Sequence, residues 1–437
     1  MSSDARRRVV VVGLAALVVA LAGWWGDQLL ADGRILHLGA PPLYAWWRAI
    51  GTGAEPSAWW PAVAAAIGLA LAVPLWWARV VGHIRWGFVL GGSWLLGLAW
   101  PASLAAMRGT SRLVDPLVEE RFEYLPLARE IDSPAEFVSG FIDRIAELPT
   151  HVRGHPPGAV LAFWGLDKVL PTDAWMAFGV LAIAASAGPA VLIAVRALAD
   201  EATARRAAVF VGMAPAAIWI ATSSDALFTA VIAWAIALAA LAVALRGWAA
   251  IVAGGGAGVL AGGAVCMSWG AVVLLGPLGV LWVVLIARRR GVEAGVTLAG
   301  AAVLPVAMVL AGFDWIEGVS AVRGEYLAGV GSVRPWWYFL FSNLAAFLIV
   351  IGPAAVGGIA TLRRRELWWL VGGAFAGVAI ADLSGMSKGE VERIWLPAVP
   401  WVVLAASSIR HWRPRAGWAA VTMALGIVLE WRLLTPW

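Results

Sequence analysis

Charge is scarce in this chain. Lys, Arg, Asp and Glu make up 14% of its 437 residues, against about 25% in soluble domains. A soluble fold of this length could not cover its surface with so few charges. Cysteine is scarcer still. Cys266 is the single one, which excludes an internal disulfide and any multi-cysteine zinc site. Low hydrophobicity is also lacking: apolar residues reach 62%, which excludes a disordered chain.

What fills the sequence is apolar runs. Each spanning helix takes ~20 apolar residues, so the expected fold class is all-α, a polytopic integral membrane protein with about thirteen transmembrane helices. The 32 Lys and Arg exceed the 27 Asp and Glu by five. In such a chain that excess orients loops toward the cytoplasm and is no signal for nucleic acid. Arg6, Arg7 and Arg8 precede the first apolar run, and no small-x-small cleavage site follows at Gly23-Trp24-Trp25-Gly26. An uncleaved first span, N-terminus inside, is expected.

Spans are expected near 9–26, 58–78, 87–106, 174–196, 206–222, 225–245, 248–266, 268–287, 295–313, 337–361, 367–382, 394–409 and 416–434. The apolar segment 156–170 is read as dipping into the interface without crossing. Only then do the basic groups at Arg196 to Arg206, Arg246, Arg288 to Arg290, Arg363 to Arg365 and Arg410 to Arg415 all fall inside. The outer face collects the loops 27–57, 108–157, 314–336 and 382–393 and the turn Thr222-Ser223-Ser224-Asp225. Chemistry is expected there. The Ala/Gly-rich run Ala253 to Ala264 reads as a close-packed span.

The stretch Asp115 to Glu130 is amphipathic. Leu117, Glu120, Tyr124 and Leu127 recur three or four apart, which predicts a helix along the interface. Its acids Glu119, Glu120 and Glu123 are either simply solvated or desolvated enough for a general base. Downstream, His151-Val-Arg-Gly-His-Pro-Pro-Gly158 places His151, Arg153 and His155 within five residues. The prolines make it a loop breaker; the side chains would suit a phosphate or a carboxylate. His151, His155 and Glu120 together would also suit a metal ion. No cofactor is required, and a divalent cation, magnesium or manganese, is left open.

These elements carry a family resemblance. Glu120-Arg-Phe-Glu-Tyr124, then Ala128-Arg129-Glu130, then His155-Pro-Pro-Gly158 ending at Trp164, resembles the first outer loop of GT-C glycosyltransferases. These include protein O-mannosyltransferases and lipid A aminoarabinose transferases. In that register Glu120 stands at the catalytic acid, with Glu119 as the alternative, Tyr124 at the tyrosine, Arg129 in the Ala/Ser-Arg pair and His155 where many relatives carry Lys. The later run Arg205-Arg206, Pro215, Trp219 and Ser224-Asp225-Ala226-Leu227-Phe228 is similar to the family's inner turn, span and outer acid, which adds Asp225. As a residue, Asp225 also suits a helix N-cap. The match covers residues 88–245. The chain thus divides into an added N-terminal hairpin (1–86), a GT-C-like module with outer juxtamembrane helices (87–245) and a C-terminal bundle (246–437).

A last constellation is Asp382 to Trp395, with Lys388, Glu390, Glu392 and Arg393 within six residues. Ordinary anchoring explains a charged flank with a Trp; a lipid-phosphate contact by Arg393 and Lys388 is the functional reading. Glu390 and Glu392 would pair with Arg393 or face an acceptor. Trp315, Trp336 and Trp337 would line the interface or stack on sugar or prenyl chain.

The resemblance implies an enzyme of the outer plasma-membrane face. It would move a sugar, mannose or arabinose, from a polyprenyl-phosphate carrier to a glycan, lipid or protein hydroxyl of the cell envelope, with inversion. Membrane lipids are its other partners. The Ala/Gly/Arg/Trp-rich composition fits an actinobacterial source. A lipid-linked-sugar flippase or an inactive GT-C-like scaffold is the alternative.

Overall fold

The computed structural model describes residues 2–48, 59–221 and 223–435. The chain is all-α apart from one two-residue pairing, Trp46–Trp47 with Leu433–Leu434. Nine helices among the described residues are long and apolar enough to cross a membrane: Ser3–Ala31, Trp60–Val80, Trp86–Ala106, Asp173–Leu198, Asp225–Ala244, Gly247–Met267, Gly291–Leu310, Trp336–Ile359 and Arg365–Leu383. This is a membrane protein by construction of its own surface. Ser3–Ala31 buries few of its apolar side chains, and Asp225–Ala244 buries most of its own. The latter runs through the middle of the core.

The other four expected spans take different forms. The segment 206–222 is broken: the Glu201–Ala207 helix stops, Gly212 takes φ +89°, and Pro215 opens a short 3-10 turn, Pro215–Trp219. Within 268–287, Pro277 restarts the chain as Gly276–Ala287. At 1.5 Å per residue these twelve residues reach about 18 Å, well short of a ~30 Å hydrocarbon layer. Pro397 and Pro400 likewise cut 394–409 into short turns, because proline removes a donor and clashes with the preceding turn. The helix Trp412–Arg432 is long but carries Arg413, Arg415, Glu430 and Arg432. The expected loop 27–57 and turn 222–225 lie partly outside the described residues, at 49–57 and Thr222.

Small residues set the closest approach. On Gly247–Met267, Gly254, Gly258 and Gly262 recur every four residues and face Gly291–Leu310. A Cβ on Gly258 would sit 2.1 Å from the Thr297 carbonyl oxygen. Backbone contact of this kind maximises van der Waals packing between apolar helices, where lipid and side chain are equally oily.

The segment Gly158–Asp167 is a ten-residue helix. Arg129 ties Asp167 at its far end and Asp173 at the start of the next span, at 2.9 and 2.7 Å. The next span therefore starts at the end of the bundle where this segment began. The loops expected on the outer face gather at that end: Arg153 pairs with Glu325 at 3.2 Å, and Lys388 donates to the Gly331 carbonyl at 2.7 Å. At the opposite end Arg205 donates to the Val81 and Ile84 carbonyls, Arg206 to Ser407 and Arg415 to Ala78. The bundle thus has a loop end and an arginine end.

Candidate functional site

Residues 115–130 do not form one helix. A 3-10 turn at Asp115–Leu117 is followed by an irregular turn, and the helix proper is Tyr124–Arg129. Pro126 explains this, since proline is tolerated in a first helical turn and not further in. Glu123 consequently sits at the N-cap with extended φ/ψ of −99° and 168°. Its side chain turns inward, away from the exposed Glu119 and Glu120.

The docking of the 150–158 element is local and backbone-driven. Thr150 N–H donates to the Arg121 carbonyl at 3.2 Å and His151 N–H to the Phe122 carbonyl at 3.0 Å. That pairing puts the His151 ring against Glu123, with Nδ1 2.8 Å from Oε1. A carboxylate only accepts, so we assign the Nδ1 proton to this bond. The other Glu123 oxygen accepts from Ser224 Oγ at 2.9 Å. Ser224 precedes the Asp225–Ala244 helix, and Ser223 Oγ donates to Asp225 Oδ2 at 3.0 Å while accepting from the Asp225 N–H. Asp225 in a first turn also complements the helix dipole.

Arg393 closes the cluster. Its Nε lies 3.4 Å from Asp225 Oδ2, an Nη 3.9 Å from Glu390 and Nη1 3.3 Å from His151 Nδ1. Glu123, His151, Asp225 and Arg393 are 2%, 7%, 7% and 5% exposed. Four ionisable groups are buried together at the loop end, where unpaired charges would be costly. Burial would raise the Glu123 carboxyl, but His151, its hydrogen bond, Arg393 and Ser224 outweigh it and hold Glu123 below its ordinary value. Burial, partly opposed by Asp225, pushes His155 down and so favours its neutral form. Tyr124 is pushed well up by burial and then by Asp225 and Glu123, so it stays a phenol. Its hydroxyl is 2.8 Å from His155 Nδ1, and its ring stacks on Phe163.

The structure therefore brings together Asp225, Arg393, His151, Tyr124, His155 and Glu390. It leaves other expected site residues elsewhere. Glu119 and Glu120 are exposed on the turn. Arg129 is the clasp to Asp167 and Asp173. Arg153 binds Glu325 and the Leu148 carbonyl. Lys388 points to Gly331. Glu392 is buried beside Arg393 but accepts from the Tyr44 N–H at 2.6 Å. His151, His155 and Glu120 do not converge, and among the described residues no three or more His, Cys, Asp or Glu gather so as to hold a metal ion. Trp336 and Trp337 are exposed, and Trp315 packs on Phe313 and Trp269.

The loop 382–393 is pinned. Asn343 Nδ2 donates to Asp382 Oδ1 at 2.9 Å and the Ser387 carbonyl at 2.6 Å, and its Oδ1 accepts from the Gly389 N–H at 3.0 Å. Buried Arg334 donates to the Leu36 and Lys388 carbonyls and lies 3.4 Å from Glu390. Gly389 takes φ +84°, a conformation that favours glycine. A Cβ there would lie 3.1 Å from Phe339. Arg334 and Asn343 position Arg393 through this loop, and neither carries a sequence motif.

No protein-family model matches the chain, and no curated protein matches it.

Proposed function

We infer that the chain is a membrane glycosyltransferase of GT-C type, taking a sugar from a polyprenyl-phosphate carrier at the loop end of the bundle. The observation that carries this reading is the buried cluster of Glu123, His151, Asp225 and Arg393. Glu123, His151 and Asp225 lie within the stretch 88–245 that resembles the family, and Arg393 joins them from the 382–393 loop outside it. They include a carboxylate–histidine pair, a second carboxylate and a guanidinium, which are the groups an inverting sugar transfer needs.

In this reading the acid role passes from Glu120 to Glu123. An acceptor hydroxyl oxygen attacks the anomeric carbon, and the bond from that carbon to the carrier's phosphate oxygen breaks. The hydroxyl proton goes to the Glu123–His151 pair, where the carboxylate holds the ring as orienter holds base in other sites. Negative charge grows on the departing lipid phosphate. Arg393, held in place by Asp225 and Glu390, is the group to meet it, by a bidentate charge-assisted contact. Loops at this end would face outward and the arginine end the cytoplasm, as the positive-inside rule requires. Transfer of labelled sugar from a polyprenyl-phosphate donor in membranes, strongly reduced in a folded Arg393→Ala variant, is the test.

A second reading, a lipid-binding scaffold without catalysis, draws on one observation. Both Glu123 oxygens are already occupied, by His151 and Ser224, as in a structural pin. Loss of stability without any transfer activity in wild type would favour it.

A further inference from the structure

At the arginine end an open cavity of about 350 Å³ lies between the start of Ser3–Ala31, the Glu201–Ala207 helix, residues 361–367 and residues 407–414. Its walls carry Arg8, Arg206, Arg363, Arg364 and Arg410 against a single aspartate, Asp4. Two of the five are neutralised: Arg363 pairs with Asp4 at 3.0 Å, and Arg364 pairs with Asp200. No carboxylate of the described residues lies within ion-pair distance of Arg8, Arg206 or Arg410.

The positive-inside rule accounts for arginines on this face. It does not account for their convergence. Arg8 and Arg206 are drawn into the concavity, and the exposed Arg363, Arg364 and Arg410 stand at its rim. Arg8 is buried and donates Nε to Thr361 Oγ1 at 3.0 Å. Arg206 donates Nε to the Ser407 carbonyl at 2.9 Å and Nη2 to Thr203 Oγ1 at 2.7 Å. Their guanidinium planes are fixed by hydroxyls and carbonyls before any ligand arrives. The Ser408 hydroxyl, 2.9 Å from Thr361 Oγ1, adds a further polar group to the wall. Like charges held this way repel: burial lowers the proton affinity of half-buried Arg206 most, Asp200 offsets part of it, and Arg364 and Arg410 lower it further. An anion would relieve that repulsion. Fixed guanidiniums with hydroxyls beside them match the geometry of phosphate oxygens.

We propose that this cavity is a second binding site, for a phosphate-bearing anion, at the end of the bundle opposite the buried Glu123–Arg393 cluster. The phosphate belongs either to an anionic phospholipid headgroup or to a soluble phosphate compound. The site is separate from the glycosyltransferase reading and stands without it.

The test uses the full chain in a neutral detergent, with two probes. Inorganic pyrophosphate is titrated at fixed ionic strength, and phosphatidylglycerol is added against phosphatidylcholine. Binding is read by native mass spectrometry and by the thermal midpoint. Wild type should retain one of the two probes. The double variant Arg363→Gln/Arg410→Gln should bind it about tenfold or more weakly, the loss expected for at least one charged hydrogen bond. Neither side chain holds a backbone carbonyl, so the fold should survive, and Arg410→Gln alone serves if the double variant does not. The exposed Arg85→Gln should leave binding unchanged. Retention of phosphatidylglycerol alone assigns a headgroup, and retention of pyrophosphate alone assigns a soluble ligand. Binding of neither probe, or equal binding by wild type and the arginine variants, overturns the proposal.

Discussion

Arg393 Nη1 lies 3.3 Å from His151 Nδ1, across 242 positions of sequence. Both atoms are donors once Nδ1–H is committed to Glu123. The contact is therefore no bond of its own. Two positive-leaning groups are held side by side by the carboxylates behind them, Glu123 on one side and Asp225 on the other. The first prediction follows from this arrangement.

Arg393→Ala should cost about 2–4 kcal/mol of transition-state stabilisation, comparable to loss of an oxyanion donor. Arg393→Lys should recover only part, because the bidentate fork is lost. The Ala variant also leaves Asp225 buried without its cation, which costs about 3–5 kcal/mol of stability by analogy with broken buried pairs. Sugar-transfer rates, taken beside a thermal midpoint for each variant, separate the two effects.

Glu392 should make stability depend on pH. Burial raises its carboxyl to about 7, above the ordinary 4.5. The folded protein thus holds a proton that the unfolded chain releases first. Stability is full below about 4.5, falls as pH rises through the window from 4.5 to about 7, and levels off above it. Thermal midpoints of wild type should fall across that window relative to Glu392→Gln. Parallel curves for the two proteins would remove Glu392 from the account.

Ser224→Ala should weaken the site through Glu123. The serine hydroxyl is one of the carboxylate's two described partners. Its loss leaves a buried oxygen short of a donor, at about 1–3 kcal/mol. The midpoint should fall accordingly, and Ser224→Thr, which keeps the hydroxyl, should restore most of it.

Topology can be read by labelling. Ala135 and Met386 are exposed at the loop end, and Arg289 at the arginine end. Cysteines at 135 and 386 should react together with an impermeant reagent in intact cells, and one at 289 should not. Native Cys266 is buried, so background is low. Reaction at only one of the two loop-end positions would contradict the placement of both loops on one face.

Much of the architecture was legible because apolar length and arginine position are coarse, additive signals. The Arg129 clasp on Asp167 and Asp173 agrees with the dipping segment that balancing the arginines required. The Ala/Gly-rich run Ala253 to Ala264 packs closely as its small residues implied, through Gly254, Gly258 and Gly262. Expected spans at 206–222, 268–287 and 394–409 broke where Pro215, Pro277, Pro397 and Pro400 stand, because hydropathy ignores backbone donors. The carboxylate that joins the buried cluster is Glu123 and not the expected Glu120, for a similar reason. A continuous helix through 115–130 puts Glu120 on the face of Tyr124. Pro126 instead sets the helix start at Tyr124 and turns the N-cap Glu123 inward. Arg334 and Asn343 were not legible at all. Their role is to receive the 388–390 backbone, and that depends on tertiary contact across some fifty residues.

The central claim is that Glu123, not Glu120, carries the acid chemistry of a sugar transferase. The most direct measurement is transfer of radiolabelled sugar from a polyprenyl-phosphate donor, in membranes holding equal amounts of folded wild type, Glu123→Gln or Glu120→Gln. The account predicts that Glu123→Gln, which leaves the His151 base without its orienting carboxylate, loses about 10²–10⁴-fold in rate, the usual worth of a positioned general base, and that Glu120→Gln works as wild type. Full transfer by a folded Glu123→Gln variant, or an equal loss in Glu120→Gln, would contradict it.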